Sequence, residues 1–111
     1  MSNPTIDTTV FTELQEAAGA DFVQELVNTF LEEAPQMLKE LRDAQATGLA
    51  DVFRRAAHSL KSNSNTFGAT RLGEMARDLE LGGMITDTAP LAALEAEYQT
   101  VATALTELTN G

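Results

Sequence analysis

From residue 22 onward apolar side chains return every three to four positions: Phe22, Val23, Leu26, Val27, Phe30, Leu31, Ala34, Met37, Leu38 and Leu41. That spacing lines one face of a helix several turns long. Asp21 sits where such a helix would start. Pro35 falls inside the stripe, and proline removes one intrahelical bond and crowds the carbonyl four residues back. The expectation is one kinked helix over about residues 20–46 or two helices meeting at Pro35, and the unbroken stripe favours the kink. Ahead of it, Asp7 can cap a short segment carrying Val10, Phe11 and Leu14, which Gly19 would end. Behind it, Gly48 closes a hairpin, and a further helix over about 50–66 ends near Gly68. Thr70 can cap a fourth helix with the stripe Leu72, Met75, Ala76 and Leu79, broken by Gly82 and Gly83. A last helix starts around Thr88, Ala89 and Pro90 and runs to about Thr109, with a buried line of Leu91, Leu94, Tyr98, Val101, Leu105 and Leu108.

No stretch alternates Val, Ile and Thr as a strand would, and aromatic residues make up only 5% of the chain. The chain is therefore expected to be all-α. Amphipathic helices joined by short connections bury their stripes most economically as an antiparallel four-helix bundle, with the short N-terminal helix laid against it. The 111 residues suit one such domain over positions 1–111.

Seventeen Asp and Glu against seven Lys and Arg leave a formal charge of −10, which repels nucleic-acid backbones and anionic membrane surfaces. The absence of cysteine removes disulfide frameworks, thiolate zinc sites and cysteine nucleophiles. The stretch MSNPTIDTTV has neither the basic nor the apolar region of a leader, and no apolar run approaches the ~18 residues that span a bilayer. A soluble, cytoplasmic protein is expected, monomeric by default.

The one histidine, His58, decides which chemistry is open. On a helical wheel at ~100° per residue with Leu49 as origin, Phe53, Ala56, Leu60, Asn63, Ser64 and Phe67 fall within about 60° of the core direction, whereas His58 lands at about 180°. It faces solvent. Arg54, Arg55, Lys61 and Ser62 share its face at three or four residues, with Asn65 two turns along. An exposed histidine among polar residues is ordinarily just solvated, so position alone assigns it no role. A metal site lacks partners, since there is no second histidine, and Arg55 stands where a Glu-x-x-His motif needs its glutamate. No nucleophile elbow, oxyanion hole or glycine-rich phosphate loop is visible.

An exposed imidazole can still act as a nucleophile toward phosphorus. It must be neutral with one free nitrogen, and nearby positive charges favour that form. Arg54, Arg55 and Lys61 would supply those charges and offset the phosphoryl group during its transfer. Small side chains at Ser59 and Ser62 would let a partner protein approach the ring.

These residues resemble the histidine-containing phosphotransfer (HPt) family of two-component phosphorelays. The family's motif, roughly His-x-Leu-Lys-Gly/Ser-x-Ser/Ala-x-x-x-Gly, is matched by His58, Leu60, Lys61, Ser62, Ser64 and Gly68. The flanking FRRAAH and GATRLGEMARDLE, and FLEEAPQMLKELRDA with its proline, are similar too, so the likeness covers about residues 6–108. The resemblance implies a bundle without kinase activity of its own that takes a phosphoryl group from one receiver-domain aspartate onto His58 and passes it to another. It casts Lys61 as the phosphate-stabilising lysine and Gly68 as the glycine ending the active helix. Ser62 departs from the glycine of many members. The implied partners are response-regulator receivers and a hybrid histidine kinase, and the implied Mg²⁺ belongs to the receiver, leaving no cofactor or metal for this chain. Arg54, Arg55, Ser59, Ser62 and Asn65 would form the docking face, with the cations complementary to the receiver's acidic pocket. Two other readings compete: a helical adaptor that docks a receiver or kinase without carrying phosphate, and an enzyme using His58 as general base, which would need a concave pocket.

Overall fold

A computed structural model of the chain describes residues 5–83 and 85–110, with Asn110 described in its backbone only. The first four residues, part of the stretch read for a leader, lie outside the described residues. Five helices follow one another: α1 (Thr8–Ala18), α2 (Ala20–Thr47), α3 (Ala50–Thr66), α4 (Thr70–Gly82) and α5 (Ala89–Asn110). No strand occurs among the described residues.

The helix ends follow the local chemistry of the chain. Asp7 caps α1, its carboxylate accepting the N–H groups of Thr9 and Val10 at 3.0 and 3.4 Å. Gly19, at φ 94°, both ends α1 and precedes Ala20, where α2 begins as expected, and Asp21 lies in its first turn, where its charge favours the helix dipole. Gly48 takes the left-handed conformation at φ 75° and returns its N–H to the Ala44 carbonyl, ending α2 as expected. Thr70 is not the cap of α4. Ala69 holds that place, and the Thr70 hydroxyl donates to the Gly68 carbonyl at 3.4 Å. At α5 the Asp87 carboxylate accepts the Ala89 N–H at 2.9 Å, with Pro90 following inside the first turn.

One continuous helix runs through Pro35. The ring stands on the exposed side, and the carbonyl its missing N–H leaves unpaired is that of Leu31, four residues back. The Tyr98 hydroxyl of α5 lies 3.4 Å from that oxygen and donates to it. Burial pushes the Tyr98 phenol up from its ordinary value, which keeps it a neutral donor. The proline is thus absorbed by a neighbouring helix, which no local pattern could show.

Helices α2, α3, α4 and α5 pack in a closed ring, each against the next and α5 back on α2, while α1 lies on α2 and α3. Neighbours run antiparallel: in the α2–α5 pair Arg42 meets Glu95 and Leu31 meets Tyr98, and Gln45 meets Ile85 just ahead of α5, numbers rising on one side as they fall on the other. The core holds the expected lines, with Phe30 packed 5.4 Å from Phe67 and edge-on to Tyr98 at 5.9 Å. Some ends of the stripes escape it. Phe22, Leu49 and Leu108 are exposed, and Asn63 is half-buried with its amide on the Ser59 carbonyl. The reason is common to three of them: Phe22, Leu49 and Leu108 lie at helix termini, beyond the reach of the neighbouring helices. Among the described residues no helix is long and apolar enough to cross a membrane.

Candidate functional site

Helix α3 presents two faces with opposite tasks. Phe53, Ala56, Ala57, Leu60 and Ser64 point inward and are buried, and Ser64 satisfies its hydroxyl on the Leu60 carbonyl at 2.6 Å. His58 points outward as the wheel requires, its side chain 56% exposed. At the end of the helix Gly68 turns the chain at φ +81°, and its carbonyl accepts the Asp7 N–H at 2.8 Å. A β-carbon there would lie 2.8 Å from the Asp7 carbonyl oxygen, so the corner admits only glycine against α1.

The immediate neighbour of the imidazole is a carboxylate from α4. Oε2 of Glu80 lies 2.6 Å from Nδ1 of His58, and the Lys61 ammonium lies 2.8 Å from the other oxygen, Oε1. The Lys61 contact is an ion pair whose angles fall outside hydrogen-bond geometry. The Glu80 side chain is only 12% exposed and that of Lys61 24%, so the pair forms a sheltered base under a solvated ring. Lys61 first, and His58 second, hold the Glu80 carboxyl below its usual range, so it is ionised at neutral pH. An ionised carboxylate can only accept. Nδ1 of His58 therefore donates, so that whenever the ring is neutral the lone pair lies on Nε2.

This corrects the picture of an imidazole ringed by cations. Arg54 turns toward Asp51, 4.0 Å away, and the Arg55 Nε donates to the Asp51 carbonyl at 3.4 Å. Helical side chains lean toward the N-terminal turn, which carries both arginines away from the ring. Lys61 does stay close, through Glu80. Ser59 and Ser62 are exposed on the flanks, and Asn65, also exposed, lies over Gly73 of α4, where a β-carbon would collide with its amide. Among the described residues no group of three or more His, Asp or Glu side chains could hold a metal ion.

The profile of the Hpt domain family matches residues 25–104. The chain belongs to the Hpt domain family. Its fold agrees with the crystal structure of histidine-containing phosphotransfer protein B (HptB) from Pseudomonas aeruginosa PAO1, at a TM-score of 0.84 and 28% identity, covering 98% of this chain and 97% of that one. No curated protein matches the chain. As an Hpt domain it is a histidine phosphotransfer protein of two-component phosphorelays, a family that works with receiver domains and histidine kinases. Within this Hpt domain Glu80 is the residue that sequence reasoning missed. A signal for it exists: α3 and α4 form an antiparallel hairpin whose contacts Asn65 with Gly73 and His58 with Glu80 are both centred on Ala69. Reflecting His58 across that turn points to Glu80.

Proposed function

We propose that His58 carries the phosphoryl group of this histidine phosphotransfer protein, and carries it on Nε2. The observation that supports this most strongly is the 2.6 Å contact between Glu80 and Nδ1. It holds the ring in the tautomer whose other nitrogen is a nucleophile and fixes the ring plane. Attack by the Nε2 lone pair on a receiver's aspartyl phosphate forms the N–P bond as the P–O bond breaks, and the receiver's carboxylate leaves with that bond's electrons. The ring becomes cationic, and Glu80 stabilises that charge from the Nδ1 side. Attack on the same phosphorus by a second receiver's aspartate reverses the step and returns the ring to neutrality.

Lys61, one turn along, holds the Glu80 carboxylate and can swing its ammonium to the phosphoryl oxygens as they arrive. Arg54, Arg55, Ser59, Ser62 and Asn65 form the face against which the receiver docks, and the Mg²⁺ that receivers hold stays in the receiver. A receiver that serves a hybrid histidine kinase and a separate response regulator are the expected partners.

The test is incubation with a receiver domain phosphorylated by acetyl phosphate, followed by nitrogen-resolved NMR of the labelled chain. An acid-labile phosphate on Nε2 of His58 is expected. A label on Nδ1 or on another residue, or none, overturns the reading, and the last outcome favours the adaptor. The Lys61→Ala protein should melt somewhat below wild type, because the sheltered Glu80 loses its cation, yet stay folded and accept phosphate roughly tenfold more slowly or worse, because one stabilising charge is gone from the transition state. Equal single-turnover rates would remove Lys61 from the mechanism.

A further inference from the structure

The contacts of the His58 ring fix which side of α3 its second nitrogen faces. On a wheel at ~100° per residue with His58 as origin, Lys61, Arg54 and Asn65 fall within about 60° on one side, and Ser62, Arg55 and Ser59 fall at about 40°, 60° and 100° on the other. Asn65 lies over Gly73 of α4 and Lys61 reaches Glu80 of α4, so the first side faces α4. Arg55 and Ser59 line an open groove of about 510 Å³ whose other wall is α2, so the second side faces α2. Nδ1 points to Glu80, on the α4 side. The two nitrogens of an imidazole flank opposite sides of the ring, so Nε2 faces outward and toward α2.

A phosphoryl group meets different chemistry on the two sides. Toward α4 stands the ionised Glu80 carboxylate, which repels phosphate oxygens and keeps the Lys61 ammonium at 2.8 Å. Toward α2, Arg55 is the cation that lines the groove. Its Nε donates to the Asp51 carbonyl at 3.4 Å, and both terminal amino groups of its guanidinium are free among the described residues. Ser62 is exposed, and its hydroxyl makes no bond to the His58 carbonyl, whereas Ser64 and Thr66 turn theirs back onto the carbonyls of Leu60 and Ser62. Helical side chains lean toward the preceding turn, so Ser62 leans toward His58 and the ring leans toward Arg55.

We propose that the phosphoryl group on Nε2 of His58 lies on the α2 side of α3, where the Arg55 guanidinium and the Ser62 hydroxyl hold its oxygens. This rests on the reading that His58 carries phosphate on Nε2. The guanidinium swings off the Asp51 carbonyl, which keeps its backbone partner within α3, and sets two parallel N–H donors on the phosphoryl oxygens. Ser62 donates a further hydrogen bond. Lys61, once it leaves Glu80, closes from the opposite side, so the group is held from both flanks of the helix. The face of phosphorus opposite Nε2 stays open, as in-line attack by a receiver's aspartate requires.

Phosphoramidate tests this apart from docking, because it is a small donor that labels histidine without a receiver. Nε2 forms its N–P bond as the donor's own N–P bond breaks and ammonia leaves. Arg55→Gln should slow labelling of His58 about tenfold and Ser62→Ala roughly threefold, since each removes hydrogen bonds to a charged group. Both should melt with the wild type, because both side chains are exposed. Arg55→Lys, which keeps the charge without the planar fork, should recover part of the rate. Arg77→Gln, exposed on α4, is the control and should label at the wild-type rate. In the labelled wild-type chain the NMR signal of the Arg55 Nε–H should move further than that of Arg54. Wild-type rates in both the Arg55→Gln and Ser62→Ala proteins, with His58 labelled normally, overturn this proposal alone, as does a loss confined to Lys61→Ala. A wild-type chain that takes no phosphate on His58 brings down the reading beneath it as well.

Discussion

A His58→Gln chain incubated with a phosphorylated receiver is expected to carry no phosphate, while melting at the wild-type temperature. Glutamine cannot form the N–P bond, because its amide nitrogen has no free lone pair. Its amide can still donate to Glu80 from a similar distance, so the sheltered Glu80–Lys61 pair keeps a neighbour. The side chain replaced is more than half exposed and lies outside the core, where substitutions ordinarily change stability by no more than about 0.5 kcal/mol. Loss of label with an unchanged melt separates chemistry from folding. A variant that still takes up phosphate at the wild-type rate would move the acceptor elsewhere in the chain.

Leu60→Ala tests the opposite face of the same helix. Leu60 is 0% exposed and its side chain is enclosed by the bundle. Truncation removes its transfer free energy and leaves a cavity that rigid neighbouring helices fill only in part, so a loss of ~2–5 kcal/mol is expected. Urea unfolding should show the midpoint falling with the slope unchanged. A midpoint at the wild-type value would mean that α3 is rotated from the orientation described, and with it the exposure of His58. Because Leu60 and His58 are two residues apart on one helix, these two substitutions constrain a single angle from opposite sides.

The comparison of pattern and structure divides along physical lines. Helix existence and facing were legible because they depend on neighbours three and four residues away: Asp7, Gly19, Gly48 and Gly68 mark ends where local backbone chemistry demands them, and Leu60 and His58 take opposite faces by period alone. Errors gathered where the period runs out. Phe22, Leu49 and Leu108 continue their stripes in sequence, yet the neighbouring helices do not extend far enough to cover them. Thr70 has the composition of a cap, but Ala69 takes the position because the chain turns tightly through Gly68. The arginine collar failed for a related reason, since a wheel places side chains on a face without saying which way along the helix they lean.

The order of residues along the chain was enough for an all-helical protein with its one histidine in solvent, a lysine one turn on, and a motif resembling that of histidine phosphotransfer domains. These are consequences of local spacing, which needs no knowledge of what lies across the bundle. What touches that histidine depends on how the helices pack. Glu80 is twenty-two residues away in sequence and reaches Nδ1 because α4 folds back along α3. In the same way Tyr98 reaches the carbonyl that Pro35 frees, and Glu33 and Glu40 come to share a groove with Arg55. Charge and hydrogen bonding act over a few ångströms of space, and that distance is set by how helices pack.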